Sequence, residues 1–381
     1  MSTVDVAIVG FGPVGALLAN LLGQAGASTV VIEPVVEVYP LPRAIHLDGD
    51  CLPVLDSVGL AEAILECCHP LPGMDFVTAA GEKLFGFDSA DRVVDGRWQA
   101  DYMFHQPRFE AALRAGVERF GCVDVRVGHE VVAIDATPAD HVALTTRDLT
   151  SGEEATVAAR YVVGCDGARS FVRKAMDIGL DDSGFDQPWL VVDTVLLPDA
   201  TCQLSDRVLQ ICDPARPATF VPSVDAHRRW ELMSMGESAE ELLEPATIER
   251  LLKPWVTVGV DVTVERAAVY SFHALIATEW RTGRVLLAGD AAHQMPPFLG
   301  QGMCSGLRDV AMLGPLLVDA LGGDDRLDTY QPHREPHVRS ITETAVKLGG
   351  VLQTTDPKVA AERDEHFRTH GEAALGDLLA G

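Results

Sequence analysis

The chain opens on an apolar run, Val4-Asp5-Val6-Ala7-Ile8-Val9, breaks at glycines, and resumes with helical spacing from Val14 to Gln24. A second apolar run, Thr29 to Ile32, ends in Glu33. Short apolar runs bounded by turn residues read as buried parallel strands, so Val4 to Glu33 predicts strand, turn, helix, strand. Residues 34–50 are proline-rich and irregular, and a helical pattern follows from Cys51 to Leu65. Strand-like runs appear at Met74–Ala79 and Lys83–Phe87. Gln106 starts an amphipathic helix to about Phe120, with Phe109, Leu113 and Val117 on one face. Strands are predicted over 123–127, 130–136, 141–146 and 156–163. From Trp189 to Met235 strand follows strand without a long helix, the mark of an antiparallel layer inserted into an α/β unit. Helical patterns return at 240–252, 301–321 and 334–351, and 356–381 reads as one helix with a frayed end.

A length of 381 residues suits two domains or one large interleaved unit, and 47% hydrophobic with 23% charged residues is ordinary globular composition. The formal charge of −26 argues against nucleic acid or an anionic membrane as partner, since both need a basic footprint. The apolar N-terminus lacks a positive flank, its first basic residue being Arg43, and glycines punctuate it at fixed offsets, which suits a strand and turn better than a signal peptide or anchor. The eight cysteines form no CxxC pair and no zinc spacing, and read as reduced thiols in a cytoplasmic protein. His333 and His337 are spaced H-x-x-x-H, but Pro336 is expected to break the helix between them and no third ligand is evident, so no metal is expected.

Gly10-Phe11-Gly12-Pro13-Val14-Gly15 carries the first chemistry. In a strand-turn-helix context the first glycine permits the turn, the second lets backbone approach a pyrophosphate, and the third lets helix pack on strand. Glu33 stands where a carboxylate accepts hydrogen bonds from an adenosine ribose, which disfavours a 2′-phosphate. This is a Rossmann-like dinucleotide turn, and by itself it leaves FAD and NAD both open. A second motif, Asp166-Gly167-Ala168-Arg169-Ser170-Phe171-Val172-Arg173, ends an apolar strand, with Ser170 placed to cap a helix. A third, RVLLAGDAAHQMPPFLGQGMCSG at Arg284 to Gly306, runs an apolar strand into Gly289-Asp290, then Pro296-Pro297 and Gly300-Gln301-Gly302.

In this order the three motifs resemble those of the single-component, FAD-dependent aromatic hydroxylases of the p-hydroxybenzoate hydroxylase type. PRAIHLDGD at 42–50, FDQPWLVVD at 185–193, CDPARPATFVP at 212–222, RRWELM at 228–233 and LDTYQPHREPHV at 327–338 resemble the 3-(3-hydroxyphenyl)propionate hydroxylases in particular. The resemblance implies an α/β fold: a discontinuous FAD-binding domain (1–72, 101–180, 274–345), an antiparallel-sheet substrate domain (73–100, 181–273) and a helical tail (346–381). It implies an NAD(P)H- and O2-dependent monooxygenase acting on a phenolic or other aromatic compound through a flavin C4a-hydroperoxide, and it is compatible with a homodimer. Gly10, Gly12, Pro13, Val14, Gly15 and Glu33 would hold the ADP half of FAD; Arg43, Gln106, Gly289 and Asp290 its middle. Asp166, Gly167 and Arg173 belong to a motif associated with both FAD and NAD(P)H. Pro296, Pro297, Gly300, Gln301, Gly302 and Met303 would shape the ring end, where the helix starting near Gln301 points amides and a positive dipole end at the charge of reduced flavin.

Trp189, Val191, Gln210, Arg216, Phe220 and Trp230 are substrate-pocket candidates, although alternate strand positions face opposite sides and part of the set must be core or surface. Arg216 could bind a substrate carboxylate or be a plain turn arginine; His273 could help deprotonate a phenol or be structural. Two features depart from the resembled pattern. The chain stops at Gly381, without a thioredoxin-like third domain, and the usual Gly-Gln-Gly-x-Asn becomes Gly-Gln-Gly-Met303-Cys304. A thiol is a weaker partner for the flavin ring than an amide, so weak flavin retention, or chemistry other than simple ortho-hydroxylation, is expected. Two other readings stay open: a natural-product tailoring monooxygenase (epoxidation or Baeyer–Villiger type), and a non-catalytic flavin- or nucleotide-binding protein. A flavin halogenase lacks support, because no W-x-W-x-I-P motif occurs.

Overall fold

The computed structural model describes residues 3–41, 43–374 and 376; the last part of the expected helical tail, 375 and 377–381, lies outside them. Its helices, in chain order, are α1 (Pro13–Gln24), α2 (Leu52–Ser57), α3 (Ala61–Leu65), α4 (Gln106–Val117), α5 (Phe171–Ala175), α6 (Ala239–Leu243), α7 (Pro245–Leu252), α8 (Gly302–Leu321), α9 (Tyr330–Leu352) and α10 (Pro357–His370). Among the described residues the strands form two eight-stranded sheets and two smaller ones.

In the first large sheet Val123–Val127, Thr29–Glu33, Val4–Val9, Glu154–Gly164 and Val285–Leu287 run parallel. The strand Glu154–Gly164 does double duty: its first half pairs antiparallel with Val142–Asp148, and its second half enters the parallel stack. α1 and α8 pack on the stack, and its inner strands Thr29–Glu33 and Val285–Leu287 are buried throughout, whereas Val123–Val127 at the edge, with Asp124 and Arg126, is partly exposed. A ligand therefore belongs at the carboxyl ends, where the turns after Val9, Gly164 and Leu287 emerge side by side.

The second large sheet runs His293–Gln294, Val262–Ala277, Leu180–Leu196, His227–Met233, Ala218–Val221, Val208–Ile211, Gly73–Val77, Lys83–Asp88. Neighbours pair antiparallel except Val208–Ile211 with Gly73–Val77, which are parallel. One face packs Leu190, Val192, Phe220, Trp230 and Leu232 against α6 and α7. The other looks toward the turns of the first sheet. A three-stranded sheet, His46–Asp48, Asp101–Phe104 and Cys68–Pro70, closes one side between them.

The structure differs from the sequence expectation in several places; the helical stretch expected from Cys51 to Leu65, for one, is split into α2 and α3 by a turn at Gly59 (φ 70°). The strand expected from Trp189 begins at Leu180, because Gly184 (φ 76°) sits in an irregular stretch of the pairing between Asp182 and Asp186 that hides the alternation. The single helix expected over 240–252 is broken at Glu244, where extended backbone precedes Pro245. Pro336 does not end a helix but lies inside α9, which carries both His333 and His337. No helix among the described residues is long and apolar enough to cross a membrane.

Candidate active site

A cavity of about 1110 Å³ lies between the carboxyl ends of the first sheet and the inner face of the second. The end at the Gly10–Gly15 turn is built from backbone. Gly10 has φ 103°, and a Cβ there would stand 2.4 Å from the Cys165 carbonyl oxygen; one on Gly15 would stand 2.1 Å from that of Gly10. Both glycines hold the turn against its neighbours, and Gly15 does not line the cavity. Gly12 differs, since a Cβ there meets no protein atom within 4 Å and would project into open space. Pro13 and Val14 line the cavity beside it. Glu33, at the end of its strand, accepts from the Phe11 amide (2.7 Å) and the Val35 amide (2.9 Å), which fixes its carboxylate at the cavity wall.

Gln106, at the start of α4, accepts from the amides of Arg43 (2.8 Å) and Ala44 (2.7 Å) and so pins the loop that carries Arg43. Arg43 is exposed, lies over the Tyr39 ring at 4.7 Å and lines the cavity. Asp290 is open to the cavity while protein encloses it elsewhere; that enclosure raises its carboxyl, opposed by His293 and Arg43. Met303, Gly302 and Gln301 line the cavity at the start of α8, which has no side-chain cap. The Gln301 side chain turns to Asp48 (3.2 Å) and accepts from Arg308 (2.9 Å), leaving the first amides of the helix without a side-chain cap. An open glycine cradle, a strand-end carboxylate on the cavity wall and an uncapped helix end fit a flavin dinucleotide.

Several expected contacts fall elsewhere. Asp166 and Gly167 line the cavity, but Asp166 also accepts from the Ser170 hydroxyl (2.6 Å) and the Val172 amide (3.0 Å), capping α5. Arg173 does not reach the cavity: it is buried and donates to the carbonyls of Ala291 (3.1 Å) and Ala168 (3.2 Å), tying two loops together. Gly289 is buried behind the wall, its left-handed turn (φ 64°) aiming its amide at Asp309 (3.0 Å). Pro296 is buried too, whereas Pro297 and Gly300 line the cavity. Cys304 points away into the packing beneath the loop, where it accepts from the Asp48 amide (3.3 Å) and its carbonyl accepts from Cys51 (3.8 Å). The expected loss of a flavin contact at this position therefore does not follow.

Behind the same loop lies a buried ionic network. His293 is 2.6 Å from Asp309, which also receives Arg334 (2.9 Å) and the Gly289 amide. Burial alone would raise the Asp309 carboxyl, but His293 and Arg334 outweigh it and hold it below the ordinary range. The network joins the Gly289 turn to α8 and α9 without touching the cavity.

On the sheet side, strand alternation decides which candidates face inward. Gln210 lines the cavity, as do Val191, Thr219 and Glu231. Phe220 and Trp230 point to the opposite face, where their rings meet at 5.2 Å in the core. Trp189 shares the inner parity but stands behind Phe272 and Phe298, which line the cavity. Arg216 is held by an ion pair with Glu237 and a bond to the Met233 carbonyl (2.7 Å), away from the cavity. His273 lines the cavity, yet among the described residues no carboxylate lies within ion-pair reach of it.

Sequence reasoning missed His46 and Asp101, which meet across the three-stranded sheet. His46 Nε2 lies 3.0 Å from Asp101 Oδ1, and Nδ1 lies 3.4 Å from the Gly300 carbonyl. Both side chains line the cavity. Burial works against an imidazolium here, but the hydrogen bond to Asp101 and the negative groups at Cys304, Asp101 and Asp48 outweigh it, so His46 titrates above its ordinary value. Gly300 (φ 65°) makes the approach feasible, since a Cβ there would stand 2.9 Å from Nδ1. A usable signal was present: His46 stands three residues after Arg43 in a stretch already singled out. Nothing local pointed to Asp101.

Residues 3–345 match the FAD binding domain family. The chain is 41% identical over 366 residues to a probable NADH-specific resorcinol 4-hydroxylase of Rhodococcus jostii (strain RHA1), covering 95% of this chain and 68% of that protein. It is 37% identical to a 3-(3-hydroxy-phenyl)propionate/3-hydroxycinnamic acid hydroxylase of Mycobacterium sp. (strain KMS), covering 96% of this chain and 62% of that one. The chain thus spans about two thirds of the length of these relatives. Among solved structures, p-nitrophenol 4-monooxygenase from Pseudomonas putida DLL-E4 superposes with a TM-score of 0.89 at 25% identity, covering 100% of this chain and 98% of that one. A ternary complex of aklavinone-11 hydroxylase with FAD and aklavinone shares the fold, with a TM-score of 0.82 at 23% identity over 91% of this chain and 69% of that one.

Proposed function

The chain belongs to the FAD binding domain family, and from that premise we propose that it is an NADH-oxidising, FAD-dependent monooxygenase that hydroxylates a phenolic ring, with His46 as the base that takes the phenolic proton. The observation that carries the reading is the His46–Asp101 pair on the wall of a cavity whose other end fits a flavin dinucleotide. Both curated relatives described above bear names of hydroxylases acting on hydroxylated rings, and one is named for NADH.

The turn Gly10 to Gly15 with Glu33 would hold the ADP half of FAD, Arg43 and Asp290 its middle, and the amide end of α8 its ring. Bound there, FAD would accept electrons from NADH and activate dioxygen so that one oxygen atom passes to the aromatic ring. This chain's residues would do the rest. With its Nε2–H donated to Asp101, a neutral His46 presents Nδ1 as acceptor; this tautomer is assigned from its partners. A phenol losing its proton to Nδ1 becomes an electron-rich phenolate. The resulting imidazolium is held from both sides, by Asp101 and by the Gly300 carbonyl, which accepts from the new N–H. The positive end of the α8 dipole favours negative charge on the reduced cofactor. Phe272, Phe298 and Pro297 line the cavity and would exclude water from this end once it is filled.

The test is direct: purify the protein with FAD, then follow NADH oxidation and ring oxygenation with and without simple phenols. Phenol-stimulated oxidation with matching hydroxylated product is expected. Oxidation that yields only peroxide whatever phenol is present would overturn the reading, as would failure to bind added FAD.

A further inference from the structure

The inner face of the second sheet carries a row without cations, Gln210–Thr219–Glu231, beside an ionic row in which Arg229 and Arg266 share Asp193. Gln210 stands opposite Thr219, and Thr219 opposite Glu231, so the three side chains cross adjacent strands in register. The row ends at Phe76 on one side and Val191 on the other. The neighbouring inward positions Val208 and Val221 belong to an apolar cluster with Ile45 and Met103, which flank His46 in the three-stranded sheet. A ring whose hydroxyl reached His46 would lie across these valines, with the polar row toward its further edge.

The hydrogen-bond inventory of the row is specific. Thr219 Oγ1 donates to Gln210 Oε1 at 2.7 Å, and both residues are buried. That bond uses the hydroxyl hydrogen and occupies the amide oxygen. What the pair still offers is the Gln210 N–H group as donor and the Thr219 oxygen as acceptor. Glu231 lines the cavity beside them, and burial raises its carboxyl above the ordinary range, with Asp193 adding to the rise and Arg229 opposing it. A guanidinium does stand near: Arg229 is 3.9 Å from Glu231. It is already engaged by Asp193 (2.6 Å) and by the Arg43 carbonyl (2.7 Å), and Arg266, a second guanidinium on this wall, pairs with the same Asp193 (3.5 Å).

An uncharged hydroxyl both donates and accepts, so it satisfies the Gln210 donor and the Thr219 acceptor together. A carboxylate only accepts: it would leave Thr219 unanswered and set a second acid beside Glu231 in an enclosed site. We propose that the Gln210–Thr219–Glu231 row selects aromatic substrates bearing a second, uncharged hydroxyl over phenols whose second substituent ends in a carboxylate. This rests on the phenol-hydroxylation reading and narrows its substrate class.

Calorimetric titration of the FAD-loaded protein with resorcinol, phenol and 3-(3-hydroxyphenyl)propionate tests the row without turnover. Resorcinol should bind about tenfold more tightly than either of the others. Gln210→Leu should remove that advantage while phenol binding stays within about twofold. Thr219→Val, nearly isosteric, should do the same in part and serves if the leucine variant folds poorly. The proposal is overturned if the propionate binds as well as resorcinol, or if both variants weaken phenol and resorcinol equally. Product analysis separates the two readings: selective binding of resorcinol without oxygenation of any phenol tells against hydroxylation and not against the row.

Discussion

The two walls of the cavity are made of different material. The nucleotide wall offers main-chain amides from the turns after Val9 and from the start of α8, fixed by glycines whose missing Cβ atoms allow close approach. The sheet wall offers side chains from strands far apart in sequence, brought level by register and selected by parity. A backbone wall tolerates most changes around it but fails at a few glycines. A side-chain wall changes its preference one residue at a time while the sheet stays put. The family can thus keep its cofactor grip while the substrate face varies.

The sharpest test of this division lies where the walls meet, at His46. His46→Ala should lower the rate of substrate-dependent oxygenation by about 10²- to 10⁴-fold with FAD binding little changed. A comparable loss in His273→Ala and none in His46→Ala would assign the base to the sheet wall. The pH profile adds direction. A base must be neutral to act, and His46 titrates above the ordinary 6.5, so activity should fall as pH drops through that raised value. Asp101→Asn removes a raising influence and should move this acid limb to lower pH as well as slowing the reaction; an unmoved limb would count against His46.

Next in size are the glycines. Gly12→Ala adds a methyl only to open space, so the apo-protein's melting temperature should hold while FAD affinity drops about ten- to a hundredfold, the usual cost of overfilling a site. Gly15→Ala, with a carbonyl at 2.1 Å, should destabilise the apo-protein itself. Equal melting temperatures for the two variants would erase the distinction between cradle and packing glycines. Smaller still, Trp230→Phe on the far face of the sheet should cost about 1 kcal/mol of stability and leave KM for the phenol unchanged. The smallest effect is expected of Cys304→Ser, less than about twofold in FAD affinity, because the thiol faces Asp48 and Cys51 rather than the cavity. Released flavin would show that the loop rearranges on binding.

The same division explains what the sequence made legible. Glycine offsets, a strand-end acid and an uncapped helix start are local patterns, so the turn at Gly10 to Gly15, Glu33 and the Gly300–Met303 loop could be found by reading along the chain. Parity on the sheet wall depends on register between strands: Gln210 faces inward and Phe220 outward only because Leu209, not Gln210, pairs with Phe220. Arg216 and Arg173 look available in sequence, and only the fold reveals their partners, Glu237 and the carbonyls of Ala291 and Ala168. The His46–Asp101 pair joins residues 55 positions apart, a distance over which no local pattern operates.

The buried His293–Asp309–Arg334 network also bears on the order in which the molecule can be made. The strands that shape the Gly10 turn are complete once Glu154–Gly164 has been synthesised. The loop at the other end of the cavity waits for Arg334, because without it Asp309 is left buried with His293 and the Gly289 amide alone. A nascent chain would thus form the Gly10 turn early and the loop at the other end of the cavity only after α9 emerges from the ribosome. Closure of that end of the cavity is tied to α9, a long helix in the chain's second half.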